Sequence, residues 1–327
     1  MKYPKIIHIL FAETLDKALK PLLYKRQTMI EDSALTLKRA YDNGELDDFE
    51  KAKELLGKSE LIKKLLTPPK QKPELFVGIR AYEWRLIELS EIPFAYLLKK
   101  VQNWRNLLID KTYTSEGFSL TGNRNGILAC HNAMITTLLI KSGYNEKDKI
   151  DAGLNWILTY QSTERGIECN WTGSDLNTRF GGCMKKTPCF YGVVKSMLSL
   201  TEYRKKFGSS NEINIKLKQG LEYILKHNVF QKLSTGQPIE TSIIKNFYPF
   251  SYKSNLLEIL MLLKSNNLYN DFRCKDAIEI LKQKQHKDGL WRSEVSQMKS
   301  AWVDFDPLNK PGLWISYMIG RVLNEQK

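Results

Sequence analysis

The sequence predicts an all-α protein built from helical hairpins that repeat along the chain. Apolar residues recur at helical spacing through most of the 327 residues. The stretch DAGLNWIL at 151–158 returns as KQGLEYIL at 218–225 and more loosely at 276–281, which gives a period of roughly 60 residues. Each matched helix is amphipathic and follows a helix that is apolar on nearly all sides. We therefore expect inner, buried helices to alternate with outer, half-exposed ones.

The residues before the repeat predict a separate N-terminal segment. Three helices are expected within residues 1–66, and Pro68, Pro69 and Pro73 end the segment. We divide the chain into an N-terminal helical segment at 1–72 and a repeat domain at 73–327. The alternative is that the prolines form an ordinary turn between helices of one domain.

In the repeat domain, inner and outer helices are joined by connections of unequal length. The connections after the outer helices are long and polar, whereas the returns from inner to outer helices are short. A functional site is therefore expected where the long connections meet the starts of the inner helices. The predicted inner helices are Ala129–Ile140, Cys189–Leu200, Ser254–Leu263 and Leu313–Val322.

Composition and charge limit the partners and the location. The net charge of +14 and the pI near 9.3 favour anionic partners. Nucleic acid is not favoured, because the lysines are spread along the helices without a long basic run, while peripheral membrane contact stays open. No apolar run is long enough to cross a membrane and no signal peptide is expected. The odd number of cysteines, five, predicts reduced thiols in the cytoplasm.

One long connection carries a motif that resembles a known family. Gln285–Trp291 reads QHKDGLW, a Gln-x-x-Asp-Gly-x-Trp pattern directly after an outer helix, and Gln161–Gly166 looks like a decayed copy. The pattern resembles the QW repeat of the prenyltransferase and squalene–hopene cyclase superfamily. The resemblance covers about residues 76–327 and is closest to small bacterial squalene-cyclase-like proteins of unassigned activity. It implies an α/α toroid, a ring of helical hairpins, in which the Trp packs between neighbouring hairpins.

The activities of that superfamily depend on motifs that this sequence lacks. Full-length cyclases carry an Asp-x-Asp-Asp acid motif, and prenyltransferase β-subunits bind zinc through an Asp-x-Cys pair and a distant His. Neither pattern occurs here. The resemblance therefore implies a cyclase-like or transferase-like enzyme with an unassigned reaction.

Four cysteines are candidate zinc ligands. Cys130 and Cys189 open adjacent inner helices, whose axes should lie roughly 8–10 Å apart. The other two belong to the connection between those hairpins, so four thiolates, or three with His131, could converge on a tetrahedral metal. Packing thiols and a reactive thiol are the alternatives. The predicted ligands are Cys130, Cys169, Cys183 and Cys189.

Two aspartates and a set of aromatic residues complete the predicted site. Asp304 and Asp306 are candidate catalytic acid and base, or ligands for magnesium if the substrate is a diphosphate. The alternative for either aspartate is to cap a helix or a turn. The aromatic residues suit an apolar or carbocation-forming substrate, and packing between hairpins is their alternative role. The predicted substrate-binding residues are Trp171, Tyr191, Tyr252, Trp291, Trp302 and Trp314.

These features lead to two hypotheses from different classes. The first is a terpenoid-cyclase-like or prenyltransferase-like enzyme that acts on an apolar, isoprenoid-like substrate, with or without an anionic head, at the mouth of the helical ring. The second is a non-catalytic binding module that docks RNA, an acidic protein or a membrane surface. The second predicts binding that weakens steeply with salt.

Overall fold

The computed structural model describes residues 30–46, 48–167, 169, 171, 186–296 and 302–323, and these residues are predominantly helical. The predicted all-α class is confirmed. A short antiparallel hairpin, β1 (Tyr113–Thr114) and β2 (Gly117–Phe118), interrupts the helices. Within the described ranges the α-helices are α1 (Ser33–Asp42), α2 (Phe49–Lys58), α3 (Glu60–Leu65), α4 (Phe76–Ser90), α5 (Lys99–Thr112), α6 (Ala129–Lys141), α7 (Lys147–Tyr160), α8 (Phe190–Phe207), α9 (Asn211–Lys226), α10 (Leu256–Ser265), α11 (Lys275–Gln283) and α12 (Leu313–Leu323).

Polar side chains set where several helices begin. The hydroxyl of Ser59 accepts the Ile62 N–H at the start of α3, and the side chain of Asn255 accepts the Glu258 N–H at the start of α10. These contacts satisfy backbone donors that have no partner inside the helix. α8 ends before Gly208, which adopts a positive φ of 89° that most other residues avoid.

The buried helices pack on one another in chain order. α4 contacts α6, α6 contacts α8, α8 contacts α10, and α10 contacts α12. α5, α7, α9 and α11 each pair with the buried helix that precedes them, as expected for hairpins. The four predicted inner helices correspond to α6, α8, α10 and α12 within a few residues at their starts, although α8 runs seven residues beyond its predicted end. None of the helices in the described ranges is both long and apolar enough to span a membrane.

The glycine repeated in the outer helices marks a close helix contact. A Cβ on Gly153 of α7 would lie 2.1 Å from Oγ1 of Thr136 on α6. A Cβ on Gly220 of α9 would lie 2.2 Å from Sδ of Met197 on α8. The same position of the repeat therefore lets an outer helix approach its inner partner closely.

The Gln-x-x-Asp-Gly-x-Trp element ties α11 to α12. The indole N–H of Trp291 donates to the Leu281 carbonyl at 2.7 Å, and its backbone N–H donates to the Ser316 hydroxyl at 2.9 Å. Gly289 adopts a positive φ of 78°, which glycine tolerates more readily than other residues. In the decayed copy, Gln161 accepts from the Ser196 hydroxyl on α8 at 3.2 Å. Both copies thus join an outer helix to the next inner helix.

Residues from Ser33 onward form one compact unit. Within it, the Tyr317 hydroxyl on α12 donates to Asp42 on α1 at 3.0 Å. The predicted division between residues 72 and 73 lies inside this unit and stays a prediction.

Candidate functional site

A cavity of about 230 Å³ lies among the buried helices. α4, α6, α8, α10 and α12 all contribute side chains to its wall, and Lys38 of α1 joins them. Much of the lining is apolar and flexible, which suits an irregular hydrophobic ligand. Apolar residues of the wall include Met134, Leu138, Leu198, Met261, Leu262 and Met318.

The cavity deepens toward the N-terminal halves of its helices. The side chains of Lys141 and Lys205, at the C-terminal ends of α6 and α8, are 33% and 49% exposed. Lys195, further back along α8, is only 4% exposed, as is expected for a residue at the closed end. Ser265, which ends α10, is also exposed. The opening therefore lies at the C-terminal ends of the inner helices, whereas the site predicted from the sequence lies at their starts.

Charged residues line the cavity in balanced pairs. Each lysine of the lining lies within hydrogen-bond distance of a carboxylate. One of those pairs joins α8 to α10, and another joins α6 to the residue that follows α4. The wall thus carries little net charge. The pairs are Lys38 with Asp42 at 2.7 Å, Lys141 with Glu91 at 2.7 Å, Lys195 with Glu258 at 2.5 Å, and Lys205 with Glu202 at 2.8 Å.

Glu91 is ionised at the junction of three elements. Burial alone would raise its pKa, but Lys141, Lys38 and the Tyr248 hydroxyl together bring the pKa below the ordinary value. Tyr248 donates to Glu91 at 2.9 Å, and burial followed by the charge of Glu91 holds the pKa of Tyr248 well above its ordinary range. The phenol therefore stays neutral and the carboxylate stays charged at neutral pH.

A second polar cluster lies at the start of α6. The imidazole Nδ1 of His131 lies 2.7 and 2.9 Å from the carboxylate oxygens of Glu83 on α4, and both residues are buried. Burial raises the pKa of Cys130 to about 12, and the proximity of Cys189 and Glu83 adds to this shift. The Cys130 thiol is therefore protonated at neutral pH, which disfavours it as a nucleophile.

The structure brings together only part of the predicted zinc site. Cys130 and Cys189 are neighbours, whereas the Cys169 thiol donates to the Tyr160 carbonyl at 3.3 Å and burial raises its pKa. Cys183 lies outside the described residues. Among those that are described, no group of three or more His, Cys, Asp or Glu side chains is placed to hold a metal ion. Zinc and magnesium stay predictions.

Neither of the two predicted catalytic aspartates belongs to the described lining of the cavity. Asp306 accepts the backbone N–H groups of Trp314 at 3.1 Å and Ile315 at 2.7 Å, and it thereby caps α12. Burial raises the pKa of Asp306, although these N–H groups oppose the shift. Asp304 accepts from the Ser296 hydroxyl at 2.6 Å. Asp306 thus makes the capping contact that was its alternative role, and the catalytic role of both stays a prediction.

The predicted substrate-binding aromatics, apart from Tyr252, pack against other parts of the chain. Tyr191 donates to Glu240 at 3.1 Å, and Tyr252 is 37% exposed. The four tryptophans of the set are buried, and three of them contact other rings. None of the six belongs to the described cavity lining, in which Phe250 is the aromatic residue. The ring contacts are Trp171 with Tyr160, Trp302 with Trp84, and Trp314 with Phe305, at centroid distances of 4.7, 5.4 and 4.9 Å.

Sequence reasoning missed the paired charges, although a signal was present. Glu258 is the one acidic residue in the apolar run LLEILMLL of α10, and Lys195 interrupts the run VVKSMLSL of α8. A charge within a helix that is apolar on all sides must find a partner on a neighbouring helix. The two anomalies could therefore have been paired from the sequence.

A comparison of the chain with models of protein families, with curated proteins and with solved structures gave no match. The resemblance to the prenyltransferase and squalene–hopene cyclase superfamily therefore rests on the sequence motif and stays a prediction.

Proposed function

We propose that the protein binds a small apolar, isoprenoid-like molecule in the cavity among α4, α6, α8, α10 and α12. The observation that carries the proposal is that apolar side chains from all five helices line one cavity that opens to solvent. Its volume of about 230 Å³ is below the usual range for ligand pockets, roughly 300–1,000 Å³, which favours a short ligand.

The α/α toroid is part of the same proposal. Two features support a ring: the buried helices contact one another in chain order, and α1 contacts α12 while its Lys38 lines the cavity beside α4. A ring of this kind would place the cavity on its axis and the hairpins' outer helices around it.

The charge balance of the wall favours a ligand without net charge over one with an anionic head. Every lysine of the described lining already has a carboxylate partner, so an anion would have to displace that partner.

A cyclase-like or transferase-like reaction is what the sequence resemblance adds, and we retain it as a proposal without assigning a step. A cytoplasmic location is likewise proposed from the cysteines.

Displacement of a neutral fluorescent probe tests the binding proposal. N-phenyl-1-naphthylamine should bind the wild-type protein and be displaced by short isoprenoid alcohols. Met261→Trp should abolish this binding, because the larger ring would occupy the cavity. Ile215→Trp is the matched control, since Ile215 lies on α9 with 49% of its surface exposed.

Two outcomes would count against the binding proposal. Equal probe binding by wild type and Met261→Trp would place the probe elsewhere. Binding of RNA or acidic vesicles that weakens steeply with salt, without probe binding, would favour the anionic docking module instead.

A further inference from the structure

Two fully buried charges face each other at the closed end of the cavity. Nζ of Lys195 on α8 lies 2.5 and 2.6 Å from the two carboxylate oxygens of Glu258 on α10. The residues are 4% and 5% exposed, and both line the cavity. Burying an ion pair is costly and contributes little to stability compared with apolar residues of the same volume. A pair in this position therefore suggests a role beyond packing.

The ammonium group of Lys195 has one more N–H than it donates to Glu258. It carries three N–H bonds, and the two oxygens of Glu258 account for two of them. Across the described part of the chain, Nζ of Lys195 has no other acceptor. Buried donors in native proteins are nearly always satisfied, and apart from Glu258 no described acceptor of the wall lies within hydrogen-bond distance of Nζ of Lys195. The third N–H thus needs an acceptor from the cavity itself.

Two hydroxyl groups of the wall can act only as hydrogen-bond acceptors toward the cavity. Thr137 donates to the Ala133 carbonyl at 2.8 Å, and Thr201 donates to the Met197 carbonyl at 2.7 Å, each within its own helix. Because their hydrogens are used, these hydroxyls present only lone pairs to the cavity. A ligand hydroxyl that accepts from Lys195 still has a hydrogen to donate, and these threonine lone pairs are acceptors in the same wall.

We infer that Lys195 anchors the ligand, and that the cavity selects an apolar chain ending in an uncharged oxygen, with a terminal alcohol as the best match. A carboxylate or phosphate is disfavoured, because its charge would lie beside Glu258, which already neutralises Lys195. This inference rests on the proposed function and specifies the ligand class of the same cavity.

The test compares probes of one chain length in wild type and in Lys195→Met/Glu258→Leu. The double variant removes the donor without leaving a buried charge unpaired. We expect the ratio of decan-1-ol affinity to decane affinity to fall about 10- to 100-fold in the double variant, the worth of one hydrogen bond to a charged group. The difference in hydration between the two probes is the same in both experiments, so it cancels when the ratio in the double variant is compared with the ratio in wild type. Lys147→Met, which breaks an ion pair with Asp151 on the exposed side of α7, should leave the ratio unchanged.

The outcomes separate this inference from the proposed function. Binding of both probes with an unchanged ratio overturns the role of Lys195 and leaves the cavity proposal standing, whereas no binding of either probe overturns both. Decanoate binding tighter than decan-1-ol would overturn the preference for an uncharged head. A crystal structure of wild type with decan-1-ol provides a check that needs no variant: the hydroxyl oxygen must lie within hydrogen-bond distance of Nζ of Lys195.

Discussion

Replacement of Lys195 by methionine should destabilise the protein far more than replacement of both members of its ion pair. Lys195→Met leaves Glu258, a residue that is only 5% exposed in wild type, without its closest cation. Such an uncompensated buried charge typically costs about 3–5 kcal/mol of unfolding free energy. In Lys195→Met/Glu258→Leu no charge is left behind, and both new side chains resemble the apolar wall. We expect the double variant to lie within about 1 kcal/mol of wild type.

Urea unfolding followed by far-ultraviolet circular dichroism measures these differences. Lys205→Met is the matched control, because its ion pair with Glu202 is half-exposed and exposed pairs contribute about 0–1 kcal/mol. A loss below about 1 kcal/mol in Lys195→Met would show that the carboxylate reaches water or another cation. A double variant as unstable as the single one would show that the pair is needed for packing rather than for charge compensation.

Three further predictions concern other parts of the molecule. Burial raises the pKa of Glu88 to about 8, although its hydrogen bonds oppose the shift. The protonated carboxyl group therefore makes its full contribution to the free energy of unfolding below the ordinary pKa of 4.5, and this contribution is lost as the pH rises to about 8. Between pH 4.5 and about 8 the urea midpoint of wild type should therefore fall relative to that of Glu88→Gln, and parallel curves would contradict the assignment. Asp306→Ala should lower the unfolding free energy by about 1–2 kcal/mol through loss of the α12 cap, whereas Asp306→Asn should lose less. Gly153→Ala should cost about 1–3 kcal/mol because its Cβ meets Thr136, while Gly57→Ala, with open space around it, should be neutral or stabilising by thermal melting.

The order of the hairpins could be predicted because the pattern of apolar residues in each helix shows how deeply that helix is buried. A run such as LLEILMLL must be buried on all sides, and the repeated glycines at 153 and 220 mark the helix that packs against it. Both signals are local in sequence, so they can be recognised without knowledge of the fold. The packing of Trp291 between α11 and α12 was expected from the resemblance of its motif to the QW repeat.

The site was harder to predict, because its residues meet only through tertiary packing. Lys195 and Glu258 are 63 residues apart in sequence, and Lys141 and Glu91 are 50 apart. Neither pair forms a motif, and the choice of partner depends on the rotation of each helix about its axis. Asp306 shows a second difficulty. From the sequence alone, a carboxylate in a loop is equally consistent with a catalytic acid and with a helix cap, and only its backbone partners distinguish the two roles.

The central claim, an apolar ligand among the inner helices, is tested most directly by the methionine methyl signals in the NMR spectrum of the protein. Met134, Met261 and Met318 line the cavity, whereas Met197 is fully buried against Gly220 on the side of the outer helix α9. On titration with decan-1-ol, the signals of the three cavity methionines should shift in a saturable manner while that of Met197 stays nearly unchanged. Unchanged signals for the three methionines at saturating decan-1-ol would contradict the claim.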